Sequence, residues 1–326
     1  MRGPCDDRRW MRELLRSNDL VRLSFIEALL KDDGIAAVVL DGHTAAIEGS
    51  IGALPRRLMV AEEDFAQARR RLVDAQELPE EGRPAAADAI LGGRVRLLQP
   101  ERGYRAAIDP VLLAAAVPAA SGERAAELGS GTGAAALCLA ARVPGASVIG
   151  IERQADFVAL ARASARASAL ADRVEFVHGD IADAPTRLGR EAFAQVFANP
   201  PYRSAAEAYP PPDAELAAAV IEEADGLARW IDVMLALARP GGALVLIHLA
   251  ERLDELLAAL SGRAGAAVVF PLWPKPGRPA KRVLVRAQKG RRGRLTLAPG
   301  LVLHRADGSY TDAAEAVLRG GAPLAL

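Results

Sequence analysis

Asn199-Pro200-Pro201-Tyr202 joins an amide oxygen, two proline rings and a phenol in four consecutive residues. The prolines fix φ and remove two backbone donors, which leaves carbonyls available to accept hydrogen bonds. The Asn199 side-chain oxygen and the Pro200 carbonyl can therefore both accept from one NH2 group, while Tyr202 offers a flat face for a planar group. An exocyclic or amide nitrogen is a poor nucleophile because its lone pair is delocalised. Two acceptors favour the pyramidal form, and the same oxygens meet the positive charge that grows on nitrogen as it attacks an electrophile. The tetrapeptide thus points to group transfer onto a conjugated NH2. It requires neither a metal nor a strongly shifted general base.

A second constellation lies upstream. In Glu127-Leu-Gly-Ser-Gly-Thr-Gly133, the glycines at 129, 131 and 133 let a ligand approach the main chain. The spacing differs from the dinucleotide fingerprint GxGxxG and lacks its pyrophosphate logic. Glu127 can hold a cation such as the amino group of a methionine moiety. Glu152, 19 residues beyond Gly133, can accept both hydroxyls of a ribose. In His178-Gly179-Asp180-Ile181, Asp180 can accept an adenine amino group and Ile181 can pack on the ring.

These residues must be carried by ordered elements, and the hydropathy pattern supplies them. Short strands are predicted over 124–128, 147–152, 174–178, 194–198, 243–248, 266–272 and 283–287. Helices are predicted over 134–142, 155–169, 214–238 and 250–260. Strands alternating with helices make a mostly parallel sheet covered on both faces. The last two strands have no helix between them and are predicted to form an antiparallel hairpin at one edge. The chemically capable residues then fall at the C-terminal ends of strands, where open α/β sheets bind ligands.

On these motifs the chain resembles the class I S-adenosylmethionine-dependent methyltransferases over residues 90–290, which implies a Rossmann-like seven-stranded sheet. The Asn199–Tyr202 motif resembles that of amino-group methyltransferases acting on adenine N6, guanine N2, cytosine N4 or glutamine N5. The segment Gln99–Ala114 (QPERGYRAAIDPVLLA) resembles the entry motif of bacterial methyltransferases that modify adenine 37 of a valine tRNA at N6. In that family the segment closes over the methionine end of the cofactor, so the resemblance gives that role to Tyr104 and Asp109. The tail Leu295–Ala314 resembles the C-terminal end of the same family, and the likeness then spans residues 88–320. It implies methyl transfer from S-adenosylmethionine to an adenine N6 in tRNA. The catalytic residues it implies are Asn199, Pro200 and Tyr202. Cofactor contacts fall on Tyr104, Asp109, Glu127, Gly129, Gly131, Gly133, Glu152, Asp180 and Ile181. An anticodon-loop adenine already stands outside a duplex, so little extrusion energy is required.

Charge bears on the substrate. The chain has 41 basic and 41 acidic residues, which excludes a histone-like or wholly acidic protein. Yet from Leu256 to Ala306 there is no Asp or Glu and eleven Lys or Arg. Such a stretch can present a phosphate-binding face, with Lys275, Lys281, Arg282 and Arg286 as candidate RNA contacts and Trp273 as a stacking surface. A glutamine-N5 methyltransferase of release factors shares the tetrapeptide. Those enzymes carry an all-helical N-terminal domain, however, and a protein substrate leaves the basic stretch unexplained. A ribosomal RNA guanine-N2 enzyme stays open, and a cofactor-binding regulator is the non-enzymatic alternative.

The remaining features are organisational. A composition of 51% hydrophobic and 25% charged residues suits a globular protein, and at roughly 150 residues per domain the length suggests about two. Residues 1–80 read as a small α+β domain: a strand at Leu14-Leu15, a helix from Leu20, strands over 35–40 and 57–60, and a helix over 65–73. This part resembles a small bacterial domain of unknown function designated signal-transducing. Residues 81–93, rich in Pro and Gly, read as a linker, and 94–326 as the methyltransferase domain. Two cysteines, Cys5 and Cys138, provide neither a disulfide scaffold nor a zinc site. With no signal-peptide pattern and no apolar run of membrane-spanning length, a cytoplasmic location is expected.

Overall fold

The computed structural model describes residues 11–17, 20–40, 56–75, 87–100, 106–204, 221–222 and 226–326. The chain divides into two compact units, Met1–Arg83 and Pro84–Leu326. In the first, β1 (Met11–Ser17), α1 (Leu20–Asp32), β2 (Ala37–Leu40), β3 (Arg56–Ala61) and α2 (Phe65–Asp74) follow in order. The three strands form an antiparallel sheet, β1-β3-β2. Leu14 and Leu15 are both buried although they are adjacent in a strand. A register shift between Glu13 and Leu15 makes this possible, because a bulge breaks the two-residue alternation. Leu23, Ile26 and Leu30 recur at helical spacing on α1 and close this small core with Leu58, Val60 and Leu72.

In the second unit, β4 (Asp88–Ile90) pairs with β5 (Val95–Leu97), so part of the stretch read as linker is ordered. Then come α3 (Asp109–Ala116), β6 (Arg124–Leu128), α4 (Ala134–Arg142), β7 (Ser147–Glu152), α5 (Ala155–Ala167), β8 (Val174–His178), α6 (Ala184–Leu188) and β9 (Phe193–Ala198). The β4–β5 hairpin docks on α5, where the Ser164 and Ser168 hydroxyls accept from the Leu98 and Arg96 amides at 2.8 and 2.9 Å.

Beyond β9 the expected long helix over 214–238 is corrected. Ile221–Glu222 form a short strand, β11, parallel to β10 (Arg203–Ser204), and the helix α7 begins only at Gly226 and runs to Leu237. Residues 214–220 and 223–225 lie outside the described residues. The chain continues with β12 (Ala238–Leu249), α8 (Leu253–Leu260), β13 (Ala264–Trp273), β14 (Arg282–Lys289), β15 (Thr296–Leu297), β16 (Leu301–Val302) and α9 (Asp312–Leu318).

The main sheet runs β15-β13-β14-β12-β9-β6-β7-β8, with β16 also on β13. Strands β12, β9, β6, β7 and β8 are parallel, and β14 is antiparallel to both β12 and β13. Seven long strands thus form the Rossmann-like sheet expected from the sequence. The predicted hairpin forms, but the tail strands β15 and β16 add beyond it. Alternation along the strands fills two layers. Ala125 and Phe197 face α3, α4 and α5, whereas Ala126, Leu128, Val196 and Ala198 face α7 and α8. Among the described residues no helix is long and apolar enough to cross a membrane.

Candidate functional site: a strand-end cavity and a tethered tetrapeptide

Parallel pairing brings the C-terminal ends of β6, β7, β8 and β9 to one edge of the sheet, and a cavity opens there. Its wall includes Glu127, Gly129, Gly131, Glu152, Asp180, Ile181 and Asn199. The glycine loop is tied to the neighbouring strand. The Ser130 amide donates to the Ile151 carbonyl at 3.1 Å, and the Gly131 amide to Glu152 Oε2 at 2.9 Å. Glu152 Oε1 accepts from the Gln154 amide at 2.8 Å, so this carboxylate is fixed at the cavity wall. Gly131 faces open space, with no atom of the described residues within 4 Å of a Cβ position. Gly133 instead lies outside the cavity wall; it precedes α4 with φ of +86° and packs on Phe176.

Glu127 is 3% exposed, and its Oε2 accepts from the Ala136 amide in the first turn of α4 at 2.9 Å. Burial pushes its carboxyl well above the usual range; the Ala136 bond pulls it down, and nearby Glu152 raises it further. A bound ammonium group would offset that burial. Asp180 Oδ1 accepts from the Ala182 amide at 2.8 Å and from Arg229 at 3.0 Å. Three carboxylates on successive strand ends, around a cradle that a Cβ at residue 131 would fill, fit a ligand with an ammonium, a ribose and an adenine. Among the wall residues that sequence reasoning missed are Arg229 and Trp230 on α7. The Trp230 ring packs directly on Gly129.

The tetrapeptide follows β9. Asn199 and Pro201 line the cavity, Pro200 is buried, and Asn199 Oδ1 is a buried acceptor without a partner among the described residues. His248, near the end of β12, is fully buried, and its Nε2 lies 3.3 Å from the Pro201 carbonyl. That contact requires Nε2 to carry the proton and donate. Burial pushes the imidazole down to about 4, so it is neutral near neutral pH. The His248 ring meets the Tyr202 ring edge-on, with centroids 5.4 Å apart and planes at 88°. Sequence reasoning had no signal for His248.

Tyr202 turns away from the cavity wall toward α3 and β14. Its hydroxyl donates to Asp109 Oδ2 at 2.7 Å, and Arg282 Nε donates to the same oxygen at 3.2 Å. The Arg282 guanidinium lies over the Tyr202 ring, 4.3 Å from its centroid. Asp109 is therefore placed with Tyr202 and not in the cavity wall, where Ala106 and Pro110 of the same segment lie. Tyr104 lies outside the described residues.

The basic stretch divides. Because β14 returns antiparallel to β13, residues 274–281 lie at the site end of the sheet and residues 290–294 at the opposite end. Lys281 is exposed at the site end, and Lys275 Nζ donates to the Ala306 carbonyl at 3.1 Å. Arg286 is half-buried in the middle of β14. Several other cations are neutralised within the fold: Arg263 pairs with Asp232, Lys289 with Glu191 and Arg305 with Asp312.

Comparison with known proteins agrees with this geometry. Residues 119–268 match the family model described as "Methyltransferase domain", and residues 11–76 match that described as "Putative prokaryotic signal transducing protein". The chain is 34% identical over 191 residues to a tRNA1(Val) (adenine(37)-N6)-methyltransferase of Porphyromonas gingivalis, covering 57% of this chain and 74% of that protein. It is 29% identical over 212 residues to a protein of the same name from Aeromonas hydrophila, covering 63% and 84%. Among solved structures, "a predicted O-methyltransferase, protein Atu636" from Agrobacterium tumefaciens superposes with a TM-score of 0.56. That likeness is at 30% identity and covers 67% of this chain and 98% of that one.

Proposed function

Because the chain belongs to the family of the tRNA1(Val) (adenine(37)-N6)-methyltransferases, we propose that it methylates the exocyclic N6 of adenine 37 in a tRNA anticodon loop. The observation that carries this reading is the buried Asn199 Oδ1 at the cavity wall, without a partner among the described residues, beside a Tyr202 ring held in a fixed orientation. The cytoplasm, where tRNA is processed, is the proposed location.

The cofactor of the family, S-adenosylmethionine, supplies an electrophilic methyl group when bound. In the proposed site Glu127 receives its ammonium, Glu152 its ribose hydroxyls, and Asp180 with Ile181 its adenine. Trp230 and Arg229 close the wall from α7. Asn199 Oδ1 and the Pro200 carbonyl accept from the two hydrogens of the adenine N6. They hold the nitrogen in the pyramidal form and stabilise the charge that develops on it, without moving during the reaction. Tyr202 provides the stacking surface for the base. His248 donates to the Pro201 carbonyl and so fixes the backbone of the tetrapeptide. Being neutral, with its Nε2 proton engaged there, it orients the loop and leaves Asn199 as the acceptor.

For RNA, we assign phosphate contacts to the cations at the site end of the β13–β14 hairpin, Lys275 and Lys281. The N6 of a loop adenine could reach the tetrapeptide while the backbone of its loop lies against these residues. The test is incubation of the purified protein with radiolabelled S-adenosylmethionine and either unmodified tRNA or recombinant release factor. The expected product is N6-methyladenosine in the tRNA digest. Label in the protein fraction as N5-methylglutamine would refute the assignment.

A further inference from the structure

Tyr202 is restrained from three sides by residues far apart in sequence. Its hydroxyl is bonded to Asp109, which opens α3; one face is covered by Arg282, which opens β14; and one edge abuts His248 on β12. Arg282 is itself held. Its Nε is committed to Asp109, and its NH1 donates to the Lys281 carbonyl at 3.3 Å. The side chains of Arg282 and Asp109 are 29% and 19% exposed, so the pair is sheltered from water and only weakly screened. A guanidinium held in this way cannot follow a mobile phosphate. Exposed Lys281, next to it, can.

We propose that Arg282 and Asp109 are positioning residues that lock the Tyr202 ring as the platform for the target base, so that Arg282 acts through Tyr202 and not through RNA phosphate. The inference rests on the reading of the site as one that takes a planar NH2-bearing base. A base stacked on Tyr202 would take the face that the guanidinium does not cover, giving the layers Arg282, Tyr202, base. Attack by a conjugated nitrogen needs in-line geometry, and a tilted platform moves that nitrogen without weakening the hold on the rest of the RNA. The planar fork of arginine serves two tasks at once, bonding Asp109 and lying flat on the ring. Lysine retains the charge but has no planar fork with which to do both at once.

The test compares Arg282→Lys, Arg282→Ala and Asp109→Asn with the unaltered protein. At saturating tRNA the single-turnover methylation rate is expected to fall about 10- to 100-fold in Arg282→Lys and Arg282→Ala alike, the scale of a misplaced reactant. The tRNA KM, its salt dependence and S-adenosylhomocysteine affinity should change less than about threefold, that is by under roughly 0.7 kcal/mol. A second readout needs no substrate. With 13C-labelled tyrosine, of which the chain has four, Tyr202 is identified by loss of its signals in Tyr202→Phe. Its ring should flip slowly in the unaltered protein and rapidly in Arg282→Lys and Asp109→Asn. Near-normal turnover in Arg282→Lys, with a raised KM and a flattened salt dependence in Arg282→Ala, would overturn the proposal in favour of a phosphate contact. Unchanged ring dynamics would overturn it even if the protein methylated no tRNA at all, an outcome that would separately refute the substrate assignment.

Discussion

Two glycines of one loop should fail in different ways when given a methyl group. A Cβ on Gly133 would lie 2.5 Å from Phe176 Cζ and 3.2 Å from the Ala161 Cβ, with φ at +86°. The left-handed backbone costs an alanine about 1–2 kcal/mol, and overpacking a core of this density adds roughly 1–3 kcal/mol. At about 2–4 °C per kcal/mol for a domain of some 240 residues, Gly133→Ala should lower the thermal midpoint by roughly 4–20 °C. Gly131 has φ of +53° and no atom of the described residues within 4 Å of its Cβ position, so only the backbone contribution applies. Its midpoint should drop by about 2–8 °C. The new methyl would nevertheless project into the cavity against a bound ligand. A clash of about 1–3 kcal/mol weakens binding roughly 10- to 100-fold. Calorimetric melting, paired with titration by S-adenosylhomocysteine, measures both quantities. If Gly131→Ala melted as low as Gly133→Ala, or bound the ligand as tightly as the unaltered protein, the assignment of Gly131 to the cavity and Gly133 to the core would be refuted.

Other substitutions separate the remaining roles. Asn199→Ala should reduce turnover at least 100-fold, the scale of a lost charge-stabilising contact, and leave S-adenosylhomocysteine affinity within about threefold by titration. Equal loss of both would make the residue structural. Glu127 has its carboxyl raised in the folded protein, so above the ordinary carboxyl range the unfolded chain ionises first and stability falls with rising pH until the folded value is passed. Glu127→Gln should remove that slope, melt above the unaltered protein at pH 8 without ligand, and bind S-adenosylhomocysteine more weakly; an unchanged pH–melting curve would contradict the burial argument. His248 is depressed from 6.5 to about 4, so the stability it preserves is complete above pH 6.5 and lost as pH falls toward 4. Over that window the depressed imidazole accounts for about 3 kcal/mol. His248→Gln should flatten the acid limb in melting experiments, and a limb of unchanged slope would remove His248 as its source.

What could be read along the chain and what could not divides on a physical line. The glycine loop, Glu152, Asp180 and Asn199 sit at strand ends whose direction is fixed once strands alternate with helices, so local pattern already places them on one edge. Arg229 and Trp230 carried no such signal, because they sit on a helix, and helical periodicity does not say which of its residues reach a cavity at the strand ends. The basic stretch misleads for a different reason. Counting charges in a line joins Lys281 to Arg292, yet β13 and β14 are ten and eight residues long and run in opposite directions. At about 3.3 Å per residue, the turn at 274–281 and the segment at 290–294 stand roughly 25–30 Å apart. Arg282 shows the same limit at the scale of one contact. Its partner Asp109 is 173 residues away, and Tyr202 is 93 residues from Asp109. No linear pattern links three residues that α3, β9 and β14 bring to one point. The role of Arg282 follows from an ion pair that only the closed sheet creates, and a charge census assigns the same residue to phosphate.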